Sequence, residues 1–222
     1  MAVEPGDHIW YYDGQGNDQA IAGEQTSTST NIPRLQWFPS ATGDPNDYKG
    51  NGGHIYNYVV YDGQLLRGQP QMRIVPGGQF TGSFAWLNSN PGNLTGVQGG
   101  PDFGQFADKF NWHNFLIFPD HDTGFAAIAS FLRQDNWVNL SILQAFRKYA
   151  PAGDGGNAPD QYAADVAAAA GVTTDTALGD LSDDQMQLMQ QKIEQIEGTV
   201  EGDTLSVDDD SVPQVIKDLV NG

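Results

Sequence analysis

The sequence predicts an α+β fold in which a small β-rich region precedes a mainly helical domain. Two patterns carry this prediction. Short runs of β-branched and aromatic residues alternate with glycine-containing turns up to residue 83, and from residue 115 the apolar residues recur at helical spacing. We therefore divide the 222 residues into a β-rich region (1–83), a helical domain (84–200) and an acidic tail that ends in a short helix (201–222).

The β-rich region contains four strand-like runs, at residues 9–12, 35–38, 54–61 and 72–75. Pairs of turn-forming residues lie beside them, namely Asp13-Gly14, Asp62-Gly63 and Gly77-Gly78. Glycine adopts a positive φ at little steric cost, so each pair fits a hairpin or a tight loop. We expect a small sheet here, either as a region of its own or as a decoration of the domain that follows.

Three helices are predicted in the first part of the helical domain. The apolar residues of the first recur at i, i+3, i+6 and i+7 and are Phe125, Ile128, Phe131 and Leu132. Asp122 or Thr123 is its expected N-cap. The second helix is predicted over Leu140–Tyr149. The third is the alanine-rich run Gln161–Ala170, which Gly171 closes.

A fourth helix has the clearest boundaries. Ser182 and Gln185 have the spacing of a capping box, in which the two residues satisfy each other's backbone N–H groups. Four apolar residues then share one face: Met186, Met189, Ile193 and Ile196. Gly198 stands where a residue in the left-handed conformation would end the helix.

The charge balance argues against several classes of partner. The chain has 28 acidic and 10 basic side chains and a formal net charge of −18. Nucleic acids and anionic membranes are bound through clustered Lys and Arg, so we expect neither as a partner. No apolar run approaches the length of a membrane span, and the N-terminus lacks the pattern of a secretory signal. We therefore expect synthesis in the cytoplasm without a signal peptide.

Metal, thiol and nucleotide chemistry find no support in the sequence. There is no cysteine, and the four histidines form no His-x-x-x-His pair. No Gly-x-Ser-x-Gly nucleophile elbow is present, and the glycines of residues 96–100 lack the Lys and Ser or Thr of a phosphate-binding loop. We expect no metal and no cofactor.

The segment Asn88–Thr95 combines amide side chains with a turn. Asn88, Asn90 and Asn93 surround the pair Pro91-Gly92. Carboxamides both donate and accept hydrogen bonds, which suits a ligand rich in hydroxyl and acetamido groups. An ordinary asparagine-rich turn is the alternative interpretation.

The asparagine block and the segments after it, taken in order, resemble a known family. The later segments are Phe115–Asp120, Thr123–Ala127, Leu140–Pro151, Asp160–Tyr162, Gly171-Val172, Asp175–Leu178, Leu181-Ser182 and Ile193–Gly198. Together they look like the lysozyme-like domain of phage virion-associated structural proteins and of cell-wall-degrading effectors of bacterial type VI secretion. The resemblance covers about residues 84–200. It departs from the family where Trp86-Leu87-Asn88-Ser89 replaces the usual arginine and three asparagines.

The resemblance implies a lysozyme-like helical fold and cleavage of the β-1,4 bond between MurNAc and GlcNAc in peptidoglycan, by hydrolysis or by lytic transglycosylation. It implies glycan strands as the ligand, delivery to the periplasm of a target cell, and an immunity protein as a partner of such an antibacterial effector. The alternative is a noncatalytic glycan-binding or structural module with the same lysozyme-like fold. The scarcity of glutamates favours that alternative.

Glycoside cleavage needs a carboxylic acid that is protonated near neutral pH, and the chain has only five glutamates. On a helical wheel Glu197 lies about 60° from the centre of the apolar face of the fourth helix, whereas Glu194 lies about 120° away. Burial and the negative end of the helix dipole both favour the protonated form at such a position, so Glu197 is our first candidate. Glu24 is the second. Gln79 stands where an acid before the asparagine block would be expected.

Two aspartates complete the predicted site. Asp120 and Asp122 are candidates for the second carboxylate, and a helix N-cap is the alternative role, particularly for Asp122. We expect Asp122 to line the sugar-binding site together with the amides of Asn88, Asn90 and Asn93.

Overall fold

The computed structural model describes residues 3–13, 19–23, 54–70, 81–111, 113–153 and 156–222. In chain order its elements are β1 His8–Asp13, β2 Gln19–Gly23, β3 His54–Tyr61, β4 Gln64–Gly68, α1 Phe84–Leu87, α2 His121–Leu132, α3 Ile142–Tyr149, α4 Pro159–Ala169, α5 Asp183–Glu197, β5 Asp203–Ser206 and α6 Gln214–Asn221. The described residues thus form an α+β fold with a β region near the N-terminus, as predicted.

The strands form one sheet in the order β2-β1-β3-β4-β5, in which every neighbouring pair is antiparallel. Asp62-Gly63 makes the predicted tight turn between β3 and β4, with Gly63 at a φ of 69°. The edge strand β5 comes from the C-terminal segment and pairs with β4, so that Leu205 lies opposite Leu65. The sheet therefore joins residues from both ends of the chain.

The predicted strands at 9–12 and 54–61 are confirmed as β1 and β3. The predicted runs at 35–38 and 72–75, and the turn at Gly77-Gly78, lie outside the described residues. The sequence pattern did not indicate β2, β4 or β5. In β5 only one of four residues is apolar, which leaves no alternation to detect.

Helix α6 packs against the sheet. Their shared core consists of Ile9, Tyr11, Tyr58, Val60, Leu65, Val212 and Ile216. The acidic side chains between β5 and α6 are largely solvent-facing, and Asp208 and Asp210 are exposed. Residues 201–222 were expected to form a tail; in the structure their apolar residues complete the core of the sheet.

All four predicted helices are confirmed, and the first three are shifted at their N-termini. Helix α2 begins at His121, and its N-cap is Asp120, whose Oδ1 accepts from the Thr123 backbone N–H at 2.7 Å. The prediction of Asp122 or Thr123 as the cap is wrong, because both lie inside the first turn. In α3 a capping box between Ser141 and Gln144 fixes the start.

The predicted boundaries of α5 are confirmed. Ser182 and Gln185 form the capping box, and Gly198 ends the helix at a φ of 74°. Met186, Met189 and Ile193 are buried on one face, as their spacing predicted. They join the apolar core of α2, α3 and α4, whose largest fully buried members include Phe118, Leu132 and Phe146. Burial of each such side chain stabilises the fold by about 1.5–3 kcal/mol.

A smaller apolar cluster connects the sheet to the helices. Val59 of β3 packs there with Leu87 of α1 and with Ile117. The Tyr61 hydroxyl donates to the Leu87 carbonyl at 2.9 Å, and burial raises the pKa of Tyr61, which keeps it a donor. Among the helices described, none combines the length and apolar character needed to span a bilayer.

Candidate active site

Glu197 is the last residue of α5, and backbone contacts fix it relative to α1. After the turn at Gly198, Val200 reaches the start of α1. Ser83 N donates to the Val200 carbonyl at 2.9 Å, and Val200 N donates to Ser83 Oγ at 3.0 Å. The end of α5 is therefore held beside the loop that follows α1.

That loop, residues 88–95, is shaped by Asn90. Its Nδ2 donates to the carbonyls of Leu94 and Leu116, and its Oδ1 accepts from Leu94 N, each at 2.9 Å. Ser89 and Asn93 adopt φ angles of 48° and 46°, a region that asparagine visits more readily than most residues. The side chain of Asn90 thus holds a tight turn whose last asparagine lies beside α5.

Helices α2 and α3 support the loop from behind. Gly124 of α2 lies so close to the loop that a Cβ would collide with the Ser89 carbonyl oxygen, so glycine alone allows the approach. The hydroxyl of Tyr149, on α3, donates to the Gly92 carbonyl. Burial, and then the negative charge of Glu197, raise the pKa of Tyr149, which keeps that hydroxyl protonated.

Both oxygens of Glu197 accept hydrogen bonds from other elements. Asn93 Nδ2 donates to Oε2 at 2.9 Å, and the Tyr162 hydroxyl of α4 donates to Oε1 at 2.8 Å. Burial, followed by the proximity of Tyr149 and the charge of Glu197, raises the pKa of Tyr162, so its proton stays on the hydroxyl. The carboxyl group is therefore oriented by the loop on one side and by α4 on the other.

Glu197 faces a cleft of about 560 Å³. Its lining residues are Asn93, Gly156, Asn157, Ala158, Gln161, Tyr162, Asp165, Ile196 and Glu197. Of the described residues, two carboxylates line the cleft, Glu197 and Asp165, together with the amides of Asn93, Asn157 and Gln161. Gln161 Nε2 donates to Asp165 Oδ1 at 2.8 Å. Such a mixture of donors and acceptors beside a carboxyl pair fits a polar ligand with hydroxyl and amide groups.

A second cavity of about 500 Å³ adjoins the cleft at the N-terminus of α4. It shares Asn157, Ala158 and Gln161 with the first. At its other side Arg147 forms a two-pronged ion pair with Asp160, at 2.6 and 2.7 Å. The two cavities therefore meet at residues 157–161.

The structure brings together two of the predicted site residues, Glu197 and Asn93. It gives the other two asparagines different positions. Asn90 is 0% exposed, and its amide forms hydrogen bonds with the backbone of the loop. Asn88 is also 0% exposed. Neither Asn88 nor Asn90 is among the residues that line the cleft, so Asn93 alone of the three asparagines faces it.

The predicted second carboxylates do not line the cleft. Asp120 caps α2, and the backbone N–H of Thr123 lowers the pKa of its carboxyl. The side chain of Asp122 is fully exposed and lies beside His121. Glu24 and Gln79 lie outside the described residues.

Sequence reasoning named Glu197 and Asn93 among the residues of the cleft and missed the others, including Tyr162 and Asp165. Both are on α4, whose fourth residue, Tyr162, belongs to the family-like segment Asp160–Tyr162. That segment was a signal for Tyr162, whereas a single aspartate in an alanine-rich helix offered none. Glu194, about 120° from the centre of the apolar face on the helical wheel, is 25% exposed and accepts from His121 Nε2 at 2.7 Å, away from the residues of the cleft.

Within the described residues, no group of three or more His, Asp or Glu side chains is arranged to hold a metal ion. No protein-family model matches the chain, and no curated protein matches it. The geometry of the cleft is therefore the basis for assigning a function.

Proposed function

We propose that this protein is a peptidoglycan glycoside hydrolase that cleaves the β-1,4 bond between MurNAc and GlcNAc, with Glu197 as the general acid. The observation that carries the proposal is the contact between Glu197 and Asn93 in a cleft that also contains Asp165. A carboxyl pair in one polar cleft is the minimum that glycoside hydrolysis requires.

The surroundings of Glu197 suit an acid that alternates between two protonation states. The Tyr162 hydroxyl can donate to an ionised Glu197 or accept from a protonated one, so this contact persists in both states. The Asn93 amide nitrogen can only donate, so it holds Oε2 and leaves Oε1 as the proton-carrying oxygen. A proton on Oε1 is donated to the Tyr162 hydroxyl, and a glycosidic oxygen bound in the cleft would replace that hydroxyl as the acceptor.

The rest of the cleft matches an N-acetylated sugar. The amides of Asn157 and Gln161 offer donors and acceptors for hydroxyl and acetamido groups, and Ile196 provides an apolar contact. The adjoining cavity beside Arg147, at the N-terminus of α4, offers room for further sugar units, which favours a polymeric substrate over a monosaccharide.

Purified cell walls test the activity. Wild-type protein is expected to clear a suspension of sacculi and to release new reducing ends, whereas 1,6-anhydro products would identify a lytic transglycosylase instead. Glu197→Gln is expected to lower the rate by about 10²–10⁴-fold, the usual contribution of a general acid. Glu194→Gln is the matched control, because Glu194 lies one turn earlier on α5 and contacts His121. Equal activity of Glu197→Gln and wild type would contradict the assignment.

One observation favours a second candidate, a noncatalytic glycan-binding module. Both oxygens of Glu197 already accept hydrogen bonds, which is also how a structural carboxylate is held. Such a module would bind sacculi without releasing products, and Glu197→Gln would then change binding or stability alone.

We further propose that the protein acts outside the cytoplasm, in the periplasm of a target cell, as an antibacterial effector or phage-type lysin. Peptidoglycan is its substrate, so only exported protein can reach it. Expression in a Gram-negative host should stop growth when an export signal is added and should be harmless without one. A co-expressed immunity protein would restore growth in the first case. Growth arrest without export would contradict this proposal.

A further inference from the structure

The Glu197 cleft contains a second carboxylate, Asp165. It lies on α4, the helix whose Tyr162 bonds Glu197. Tyr162 and Asp165 are three residues apart on this helix, so they lie on neighbouring positions of one face, about 4.5 Å apart along the axis. Tyr162 contacts Glu197 directly. The two carboxylates are therefore mounted on packed helices and face one cleft.

The side chain of Asp165 is oriented by its own helix. Gln161 Nε2, one turn earlier, donates to Oδ1 at 2.8 Å. No cation neutralises this carboxylate: among the described residues, the ion pairs of the basic side chains go to other acids. One oxygen is thus held by Gln161, and Oδ2 is available to a water molecule or a ligand in the cleft.

We propose that Asp165 is the second catalytic carboxylate and acts as the general base for the attacking water; this inference rests on the proposed hydrolase function. Glu197 transfers its proton to the glycosidic oxygen as the bond from that oxygen to C1 breaks. Water attacks C1 and forms the new C–O bond, and Asp165 Oδ2 takes the water proton. The products are two shorter glycans, an ionised Glu197 and a protonated Asp165, and proton exchange with solvent restores both groups.

The other aspartates near the helix ends are poorer candidates for this role. Asp120 uses its carboxylate to cap α2, and Asp122 is fully exposed to solvent. Asp160 is tied to Arg147 in a two-pronged ion pair, which lowers the pKa of its carboxyl and opposes proton uptake. Among the residues that the structure describes, Asp165 is the one aspartate that lines the cleft together with Glu197.

The decisive experiment combines Asp165→Asn with Asp165→Ala and chemical rescue. Asp165→Asn should lower the rate of reducing-end release by about 10²–10⁴-fold while leaving binding to sacculi and the melting temperature close to wild type. For Asp165→Ala, added sodium azide should restore cleavage and yield a glycosyl azide, because azide needs no base to attack C1. A merely structural role would not produce that adduct. Asp184→Asn, an exposed aspartate in the first turn of α5, is the matched control and should remain fully active.

The outcomes separate this inference from the function on which it rests. If wild type releases reducing ends and Asp165→Asn does so at the same rate, the role of Asp165 is overturned and the hydrolase function stands. If wild type binds sacculi without releasing any product, both are overturned. Retention of the anomeric configuration in the wild-type product, followed by NMR, would also overturn the role of Asp165 as a base, since direct attack by water inverts it.

Discussion

Two polar clusters of this molecule each hold a carboxyl group in place, one at the wall of an open cleft and one in the protein interior. In the cleft, Asn93 and Tyr162 hold Glu197 through hydrogen bonds of 2.9 and 2.8 Å. Near the start of the sheet, Lys109 holds Asp7 through a 2.6 Å ion pair. The side chains of Lys109 and Asp7 are only 9% and 7% exposed, whereas Glu197 faces an open cleft.

The difference in exposure decides whether these contacts stabilise the fold or position a group for a ligand. A buried ion pair has no access to a ligand, so its groups act on the folding equilibrium alone. A carboxyl group at the wall of a cleft keeps access to protons and substrate, and it gains less stability from its contacts. We therefore expect substitutions near the sheet to change stability and substitutions in the cleft to change turnover.

The largest expected effect is that of Lys109→Met. It leaves the Asp7 carboxylate buried without its cation, which should lower the free energy of unfolding by about 3–5 kcal/mol. Urea unfolding followed by tryptophan fluorescence measures this. The activity per folded molecule should stay at the wild-type value, because neither residue lines the cleft.

Arg133→Met is the matched control for that experiment. Arg133 pairs with Asp183 at 2.6 Å, but the side chains are 43% and 90% exposed, so the expected loss is below about 1 kcal/mol. Equal losses for Lys109→Met and Arg133→Met would show that burial is not what distinguishes the two clusters. The double variant Asp7→Asn with Lys109→Met should recover part of the stability, because it removes the uncompensated charge.

The second prediction concerns acid sensitivity of the sheet region. Burial lowers the pKa of His8 to about 4, although its hydrogen bond with Asn57 acts in the opposite direction. Between pH 6.5 and 4 the unfolded chain binds a proton at this residue that the folded chain does not. Its contribution to stability is therefore complete above pH 6.5 and falls with pH through that window, by about 3 kcal/mol in total.

The contribution of His8 is measured by the difference between two pH series. Thermal or urea unfolding of wild type and of His8→Gln, from pH 7 to pH 4, should converge as the pH falls, because the variant lacks the titrating group. His113→Gln should keep most of the slope of wild type, because burial is the largest cause of the lowered pKa of His8 and the charge of His113 is a smaller one. Parallel curves for wild type and His8→Gln would refute the assignment of this slope to His8.

Local signals predicted the helices and indicated Glu197 as the candidate acid, and long-range contacts explain what was missed. The ends of α5 are specified by neighbouring residues, since Ser182 bonds Gln185 and Gly198 adopts a left-handed conformation. Glu197 was found from its position at the edge of the apolar face together with the family resemblance. Asp165 could not be found in that way, because its place in the cleft depends on how α4 packs against α5.

The asparagine block illustrates the limit of composition as a guide to ligand contacts. Three asparagines occur within six residues, and their spacing alone did not distinguish the one that bonds Glu197 from the two that are buried. Asn90 is needed for the shape of the loop, since it bonds both Leu94 and Leu116. Strand β5 was missed for a related reason, because its pairing partner β4 lies about 140 residues earlier.

The third prediction tests the cleft with a smaller change, Tyr162→Phe. It removes one donor to Glu197 and should cost about 1.5 kcal/mol of stability at most. Because an ionised Glu197 then loses a hydrogen bond and the protonated form is favoured, the basic limb of the pH–rate profile should move to higher pH. Sacculus clearance measured from pH 5 to pH 9 provides the profile. Tyr149→Phe is the comparison, since its hydroxyl bonds the Gly92 carbonyl instead. An unchanged profile for Tyr162→Phe would argue that Glu197 is not the titrating acid.

The smallest expected effect is at Gly198, where the cleft and the sheet region meet. A Cβ at its φ of 74° is strained, so Gly198→Ala should lower the free energy of unfolding by about 1 kcal/mol. Gly198→Asn should lower the free energy of unfolding by only about a few tenths of a kcal/mol, because asparagine adopts the left-handed conformation more readily. The residue also sets the path from Glu197 to Val200, so the alanine variant should lose turnover as well as stability. If Gly198→Ala reduces stability and leaves sacculus clearance unchanged, then the geometry of the cleft does not depend on this turn. Turnover would in that case be independent of the stability of the segment that joins the cleft to the sheet.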